Sequence, residues 1–472
     1  MSRTIPSQPG APAPVADEGN PRRWAIMAVL GAVAFMAQLD FFIVNVALDG
    51  IGRSFPGSPE SLVSWVLSAY AIVFAAVLVP AGRLADQFGR KRVLLLGVAV
   101  FTAASAVASF APALGVLVAA RAVQAVGAAM IVPTSLGLLY PSFPKRQHTL
   151  VVGIWAGVAA IAGSAGPPVG GLLVTADWRW IFLINLPIGV VTIVAGALVL
   201  PEVRQPAGTR LPDAASAVAL LLSVSLLVLA TVEGPEWGWA SGRTLGLFAA
   251  AVVFAAVTLQ RTLHAASPVI EKELFRSRQF SAASVALLLY FTGFSIFLLG
   301  GALFMQNVWH FSALRAGIGI APAPIASVGF ALNAGPIQAR LGRTIPAVVG
   351  TIAMTAAAVY WLAMVSGGSS DYWVGMFPGL VIMGVSGGLS QAPMFAAAGT
   401  LPPDRATTGS AVLNMGRQVG SALGVALLVA LTAKSESVSG FDHAWAVQAG
   451  AGAAAAASLF FLRPRPSATR AG

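Results

Sequence analysis

Apolar runs of about twenty residues follow one another along this chain from residue 24 to residue 462, and runs of that length leave few folds open. No water reaches the backbone in hydrocarbon, so each segment must bond its own amides, as a helix does. About fourteen runs stand out, at 24–48, 61–82, 92–110, 113–140, 150–173, 179–200, 213–232, 244–263, 280–305, 313–336, 344–366, 372–400, 407–432 and 443–462. With 57% hydrophobic residues, 10% charged and a mean hydropathy of +0.81, the expected fold class is an all-α membrane protein with fourteen transmembrane helices. It should lie in the lipid bilayer of the cell membrane as a multi-pass protein.

The net charge of +11 would suggest nucleic-acid binding in a soluble protein. Its placement argues otherwise. With the amino terminus inside, only Arg53, Arg179, Arg243, Arg315 and Lys434 fall in outer loops. Arg121 and Arg417 lie within spans, and every other Lys and Arg falls in an inner loop or tail. That asymmetry follows the positive-inside rule, places both termini in the cytoplasm and implies no nucleic-acid partner. Residues 1–21 and 464–472 read as cytoplasmic tails, the first rich in proline and disordered. Arg22 and Arg23 before a full-length span read as an uncleaved anchor. The chain has no cysteine, and His148, His264, His310 and His443 are scattered, so neither a metal site nor a cofactor is expected.

Two stretches look like distant copies. Gly82–Arg90 follows the second span and Gly335–Arg343 the tenth, at an offset of 253, while Gly127 and Pro133 match Gly387 and Pro393 at an offset of 260. Repeated halves around a midplane site are common in secondary transporters. The expected organisation is a six-helix bundle over 22–203, a linker with two extra helices over 204–278, and a second six-helix bundle over 279–463.

Asp40 is the one acid placed mid-span, where an ionised side chain is costly without a partner and is functional by default. Burial favours the neutral form of a carboxyl and a nearby guanidinium the charged form. Counting about 1.5 Å per residue puts Asp40 and Arg121 in the same outer half of the membrane, within reach of each other. A fixed ion pair that only locks helices together is the structural alternative. Arg83, Arg90, Lys91 and Arg92 read mostly as solvated inner-face charges; Asp86 among them is harder to dismiss. In span five Gly153/Gly157 and Gly166/Gly170 permit close helix approach, and Pro167 with Pro168 should kink the helix. Uncharged polar residues that would line a central cavity are Gln38, Asn45, Gln124, Asn185, Gln306, Asn333, Gln391, Asn414 and Gln418. Trp65, Tyr70, Tyr290, Phe294 and Trp309 could stack against an aromatic ligand, and Trp237 and Trp239 resemble an interfacial belt.

Taken in order, these motifs resemble the major facilitator superfamily, and within it the fourteen-span drug:proton antiporters. The resemblance rests on Leu39–Leu48, Gly82–Arg92, Arg121–Gly127 (with Ala125 where a glycine is usual), Gly163–Gly171 and Trp178–Pro187. It implies proton coupling at Asp40 and Arg121. It also implies a conformational latch from Gly82, Arg83, Asp86, Gly89, Arg90 and Lys91, with Asp86 pairing across the two halves. Gly157, Gly163, Gly166, Pro167, Gly170 and Gly171 match the antiporter motif, which in exporters seals the cytoplasmic side. Arg417 matches a basic position of the class and joins the cavity set.

No Ser/His/Asp set, nucleotide-binding loop or metal cluster suggests an enzyme. The expected function is therefore proton-coupled export of small amphipathic drugs or antibiotics by a monomer. Dedicated export of one metabolite is the nearest alternative and solute import a more distant one.

Overall fold

The computed structural model describes residues 20–58, 60–203, 213–365, 371–432 and 438–461. The expected tails fall almost wholly outside these residues. The described chain folds into sixteen α-helices with short 3-10 and π turns and no strand. In chain order the helices are α1 (Arg23–Ser54), α2 (Glu60–Phe88), α3 (Arg90–Ser109), α4 (Leu114–Ser142), α5 (His148–Ala176), α6 (Trp180–Leu183), α7 (Asn185–Val199) and α8 (Ala214–Trp237). They continue with α9 (Gly242–His264), α10 (Arg278–Asn307), α11 (Ala313–Ile320), α12 (Pro322–Leu341), α13 (Thr344–Met364), α14 (Phe377–Phe395), α15 (Ala406–Thr432) and α16 (Val438–Phe461). Among the described residues, eleven segments are long and apolar enough to cross a membrane.

Helix starts follow local chemistry. Asp213, Ser241, Ser277 and Ser312 each accept a hydrogen bond from a backbone amide of the first turn they precede, capping α8, α9, α10 and α11. Two expected single spans are each built from two helices, and proline explains both breaks. Pro187 cannot donate to the Leu183 carbonyl, and α6 gives way to α7 there. Pro322 and Pro324 lack the amides that would bond Ile318 and Ile320, where α11 passes into α12. The span expected from residue 372 opens with a π-helical turn, Tyr372–Met376, ahead of Pro378. Pro167 and Pro168 do not interrupt α5, which is helical from end to end.

A further correction concerns the stretch Gly82–Arg92, which is barely a loop. α2 runs on to Phe88 and α3 begins at Arg90, so Gly89, at φ +111°, is the only hinge between them. Gly342, its counterpart at the offset of 253, also has positive φ (+75°). A residue with a Cβ is strained at such angles, so both copies turn on the same glycine device.

Helix packing repeats in the same way. α1 packs on α5 as α10 does on α15, α2 on α4 as α12 on α14, and α3 on α4 as α13 on α14. Two close crossings are equivalent too. A Cβ at Gly97 would lie 2.8 Å from Met130 Cβ, and one at Gly350 2.8 Å from Ser390 Cβ. Those two pairs are related by the same offsets that relate the sequence copies. The halves meet along two seams, α2 with α15 and α5 with α12 and α14. The inserted hairpin of α8 and α9 lies along the first, with α8 packed on α2 and α15.

Candidate functional site: a buried charge cluster and a closed gate

Asp40 on α1 and Arg121 on α4 are both fully buried and form an ion pair, Arg121 Nη1 to Asp40 Oδ2 at 2.5 Å. The other carboxylate oxygen accepts from Gln124 Nε2 at 2.7 Å and from Asn185 Nδ2 at 2.8 Å. Arg121 is held further by the Val66 carbonyl (3.2 Å), by Gln124 Oε1 (2.7 Å) and by the Tyr70 ring, whose centroid lies 4.2 Å from the guanidinium carbon. Ser105 Oγ on α3 accepts from Gln124 at 2.8 Å and closes the network. Asn185 Oδ1 is buried and has no hydrogen-bond partner among the described residues.

Helix geometry explains the convergence. Arg121 and Gln124 are three residues apart and share one face of α4. Asn185 is the first residue of α7, so the break that Pro187 makes is what delivers its amide to Asp40. Gln124, Asn185 and Tyr70 therefore sit in the charge cluster, not on an open cavity wall. Ser105 carries no sequence signal beyond its place on an apolar helix.

A second polar cluster closes the end of the bundle at which α1 begins, called the inner end below. Asp86 is fully buried; its Oδ1 takes Arg90 Nε at 2.8 Å, and its Oδ2 accepts from Thr408 N (2.7 Å) and Thr408 Oγ1 (2.8 Å) at the start of α15. Arg90 also donates to the Gly137 carbonyl at 2.6 Å and to the Pro403 carbonyl. Tyr140 Oη reaches the Phe395 carbonyl at 2.9 Å. Gly82 lets α2 approach α15, since a Cβ there would meet Ala411 Cβ at 2.6 Å. Among the described residues, every hydrogen bond between the halves lies at this inner end.

Arg83 and Arg90 are buried, which corrects the reading of these bases as solvated charges. Arg92 keeps that exposed character, while Lys91 is half-buried and its Nζ donates to the Ala197 carbonyl at 2.6 Å. Sequence could not show this, because the partners of Arg90 lie about the Gly137 carbonyl and some three hundred residues away at Pro403.

Glu271, in the segment between α9 and α10, was not anticipated. It pairs with Arg83 of the first half and, at 2.7 Å, with Arg405 of the second, so one carboxylate spans both halves. Glu271→Gln is expected to weaken the closed end by about 2–3 kcal/mol, less than the ~3–5 kcal/mol of a fully buried pair because Arg405 is partly exposed. The measurement is maleimide labelling of an Ala411→Cys reporter in this cysteine-free chain. Labelling should rise roughly 30- to 140-fold, and an unchanged rate would show the bridge to be idle.

The remaining expected cavity residues are dispersed. Tyr290 stacks on Phe294 with centroids 5.9 Å apart and lies 3.4 Å from Ser386 Oγ. Asn45 is exposed and bonds its own helix at Phe41 and Phe42, as Asn414 bonds Ser410 and Gln306 bonds Ala302. Gln38, Trp65, Arg417 and Gln418 are half-buried. In span five, a Cβ at Gly166 would strike Phe42 Cβ at 2.7 Å and one at Gly170 would strike Ile43, so these glycines seat α5 on α1. Gly157 and Gly171 have open space around them. No group of three metal-ligating side chains occurs among the described residues.

Helix packing that repeats between two halves, together with an ion pair buried among apolar helices, fits a membrane transporter. The chain belongs to the Major Facilitator Superfamily, whose sequence model matches residues 30–425. It is 35% identical over 87% of its length to the methylenomycin A resistance protein of Streptomyces coelicolor, covering 86% of that protein. It is 31% identical to the tetracenomycin C resistance and export protein of Streptomyces glaucescens, over 79% of this chain and 73% of that one. With the multidrug resistance protein Stp of Mycobacterium tuberculosis the identity is 32%, over 84% of this chain and 74% of the relative. Among solved structures, the human organic anion transporter MFSD10 (TETRAN) matches with a TM-score of 0.66 and 13% identity, covering 94% of this chain and 100% of that one, a likeness of fold. The protein is a multi-pass transporter of the cell membrane and not an enzyme.

Proposed function

We propose that this protein exports small amphipathic drugs or antibiotics from the cytoplasm in exchange for protons, by alternating access. The observation that carries the reading is Asp40, a fully buried carboxylate held by Arg121, Gln124 and Asn185. The names of the relatives, which are resistance, export and multidrug proteins, support the direction of transport. In this reading α5, the α11–α12 pair and α16 complete fourteen spans, and both termini and the closed inner end face the cytoplasm.

With the inner end closed, the cluster meets protons from outside. A proton on Asp40 removes the charge that holds Arg121 and creates a donor that needs an acceptor. The free Oδ1 of Asn185 is the idle acceptor in the cluster. Neutralisation permits the inner gate at Asp86 and Glu271 to open, the proton leaves to the cytoplasm, and substrate enters. One charge crossing about 150 mV releases roughly 3.5 kcal/mol, enough for about a 300-fold gradient of a neutral substrate at 1.4 kcal/mol per decade.

The test is uptake of a fluorescent amphipathic dye into inverted vesicles under an imposed pH gradient. Accumulation should appear with the gradient and vanish when a protonophore collapses it; gradient-independent uptake would refute the coupling. Dedicated export of one antibiotic is the second reading, favoured by relatives named for single compounds.

A further inference from the structure

Among the described residues, Arg417 is a cation at mid-depth without a counter-charge. It is the twelfth residue of α15 (Ala406–Thr432), about 17 Å along the helix from its start. Its Nε is buried without a hydrogen-bond partner, and no carboxylate pairs with it among the described residues. The chain has none to spare at that depth. Asp40 is committed to Arg121 and Asp86 to Arg90, and the other acids flank helix ends or loops. A guanidinium kept at this level needs an anion from elsewhere.

Its surroundings specify the anion's body. The helices α10 and α15 touch backbone to backbone at Gly420 and Gly424, where a Cβ would lie 2.3 Å and 2.2 Å from the carbonyl oxygens of Leu288 and Thr292. That register sets Arg417 beside Phe291, 5.9 Å from guanidinium carbon to ring centroid. Phe291 packs edge-on to Phe294 at 5.6 Å, and Phe294 stacks on Tyr290. Phe294 and Arg417 both remain partly accessible. A planar fork of N–H donors alongside a shelf of aromatic rings suits an aromatic carboxylate, bound bidentately at its charge and by stacking at its ring.

We propose that Arg417 binds the negative charge of the substrate, and that the preferred substrates are aromatic monoanions. This deepens the export reading above and rests on it. It also fits a transporter with a single intramembrane acid. Sending one anion out as one proton enters moves two charges in the direction an interior-negative potential favours. A neutral substrate moves one charge and a monocation none, so the anion is the cargo that one acid exports best.

Three dansyl probes that differ in charge test the site: dansylglycine (anion), dansylamide (neutral) and dansylcadaverine (cation). Fluorescence binding to purified wild-type protein should favour dansylglycine at least tenfold over dansylamide, with dansylcadaverine weakest. Arg417→Gln should level the first two, and Arg417→Lys should retain part of the preference. Arg417→Gln should melt at or above the wild-type temperature, because it removes an uncompensated buried charge; a residue with a structural partner would lower it. Equal binding of the three probes to wild type, binding of none, or an unchanged preference in Arg417→Gln overturns the proposal. The same probes in inverted vesicles separate the two readings. Arg417-dependent binding without gradient-driven uptake leaves the anion site standing and removes proton-driven export. Gradient-driven uptake of dansylamide with no anion preference does the reverse.

Discussion

Asp40→Asn should abolish gradient-driven uptake in inverted vesicles, with a loss of at least about 100-fold, while the protein still inserts and binds its dye. Asparagine is nearly the same size and its single oxygen can still accept from Arg121, while its amide nitrogen faces the Gln124 and Asn185 donors in place of the second carboxylate oxygen. What it cannot do is take up and release a proton. It also leaves Arg121 buried without a countercharge, and losing one partner of a buried pair costs about 3–5 kcal/mol, which exceeds two decades at 1.4 kcal/mol each. Arg121→Lys should be impaired almost as severely. A point charge cannot meet Asp40, Gln124 and the Val66 carbonyl as the planar fork does. Dye binding measured without a gradient separates coupling from folding. Uptake above a tenth of wild type in Asp40→Asn would remove this carboxylate from the coupling step.

The second large effect is a reversible lock. A Cβ built on Gly153 of α5 lies 3.8 Å from Ala392 Cβ of α14, the mean spacing of disulfide-bonded Cβ atoms. The two positions belong to different halves, near the inner end, and the chain has no cysteine to compete. Gly153→Cys with Ala392→Cys should cross-link under mild oxidation, stop transport completely and regain it on reduction, while each single variant transports normally. If the oxidised double variant went on transporting, the α5–α14 seam would not open during the cycle. Alternating access at this end would then have to be rebuilt around the other seam.

Much of this arrangement was legible beforehand, and the reasons differ by residue. The Asp40–Arg121 contact follows from two facts that sequence states directly: charges at membrane depth are expensive, and helix rise fixes depth. The duplication was legible because glycine suits close helix crossings and positive-φ turns, and Gly89 with Gly342, and Gly127 with Gly387, stand in step across the halves. The gate was half legible. Asp86 stood out as an acid among bases, and the resemblance implied a partner across the halves. That the partner is Thr408, and that Arg90 is sunk among carbonyls, depends on contacts between distant segments with no pattern of their own. Glu271 was hidden for a similar reason: an acid in a polar connection between helices looks like solvated surface until both of its arginines are located. Asn185 reads from sequence as a cavity residue because uncharged amides within spans have no distinctive position. Its role in the cluster emerges only with the helix break made by Pro187.

The hairpin of α8 and α9 lies against one seam of a molecule whose two halves otherwise mirror each other's packing. Its flanks are therefore unlike. A molecule diffusing in the plane of the bilayer meets, on one side, a wall of extra helix in front of α2 and α15, and on the other the bare junction of α5 with α12. By itself the repeated packing makes the two flanks alike, and the insert gives the protein a front and a back.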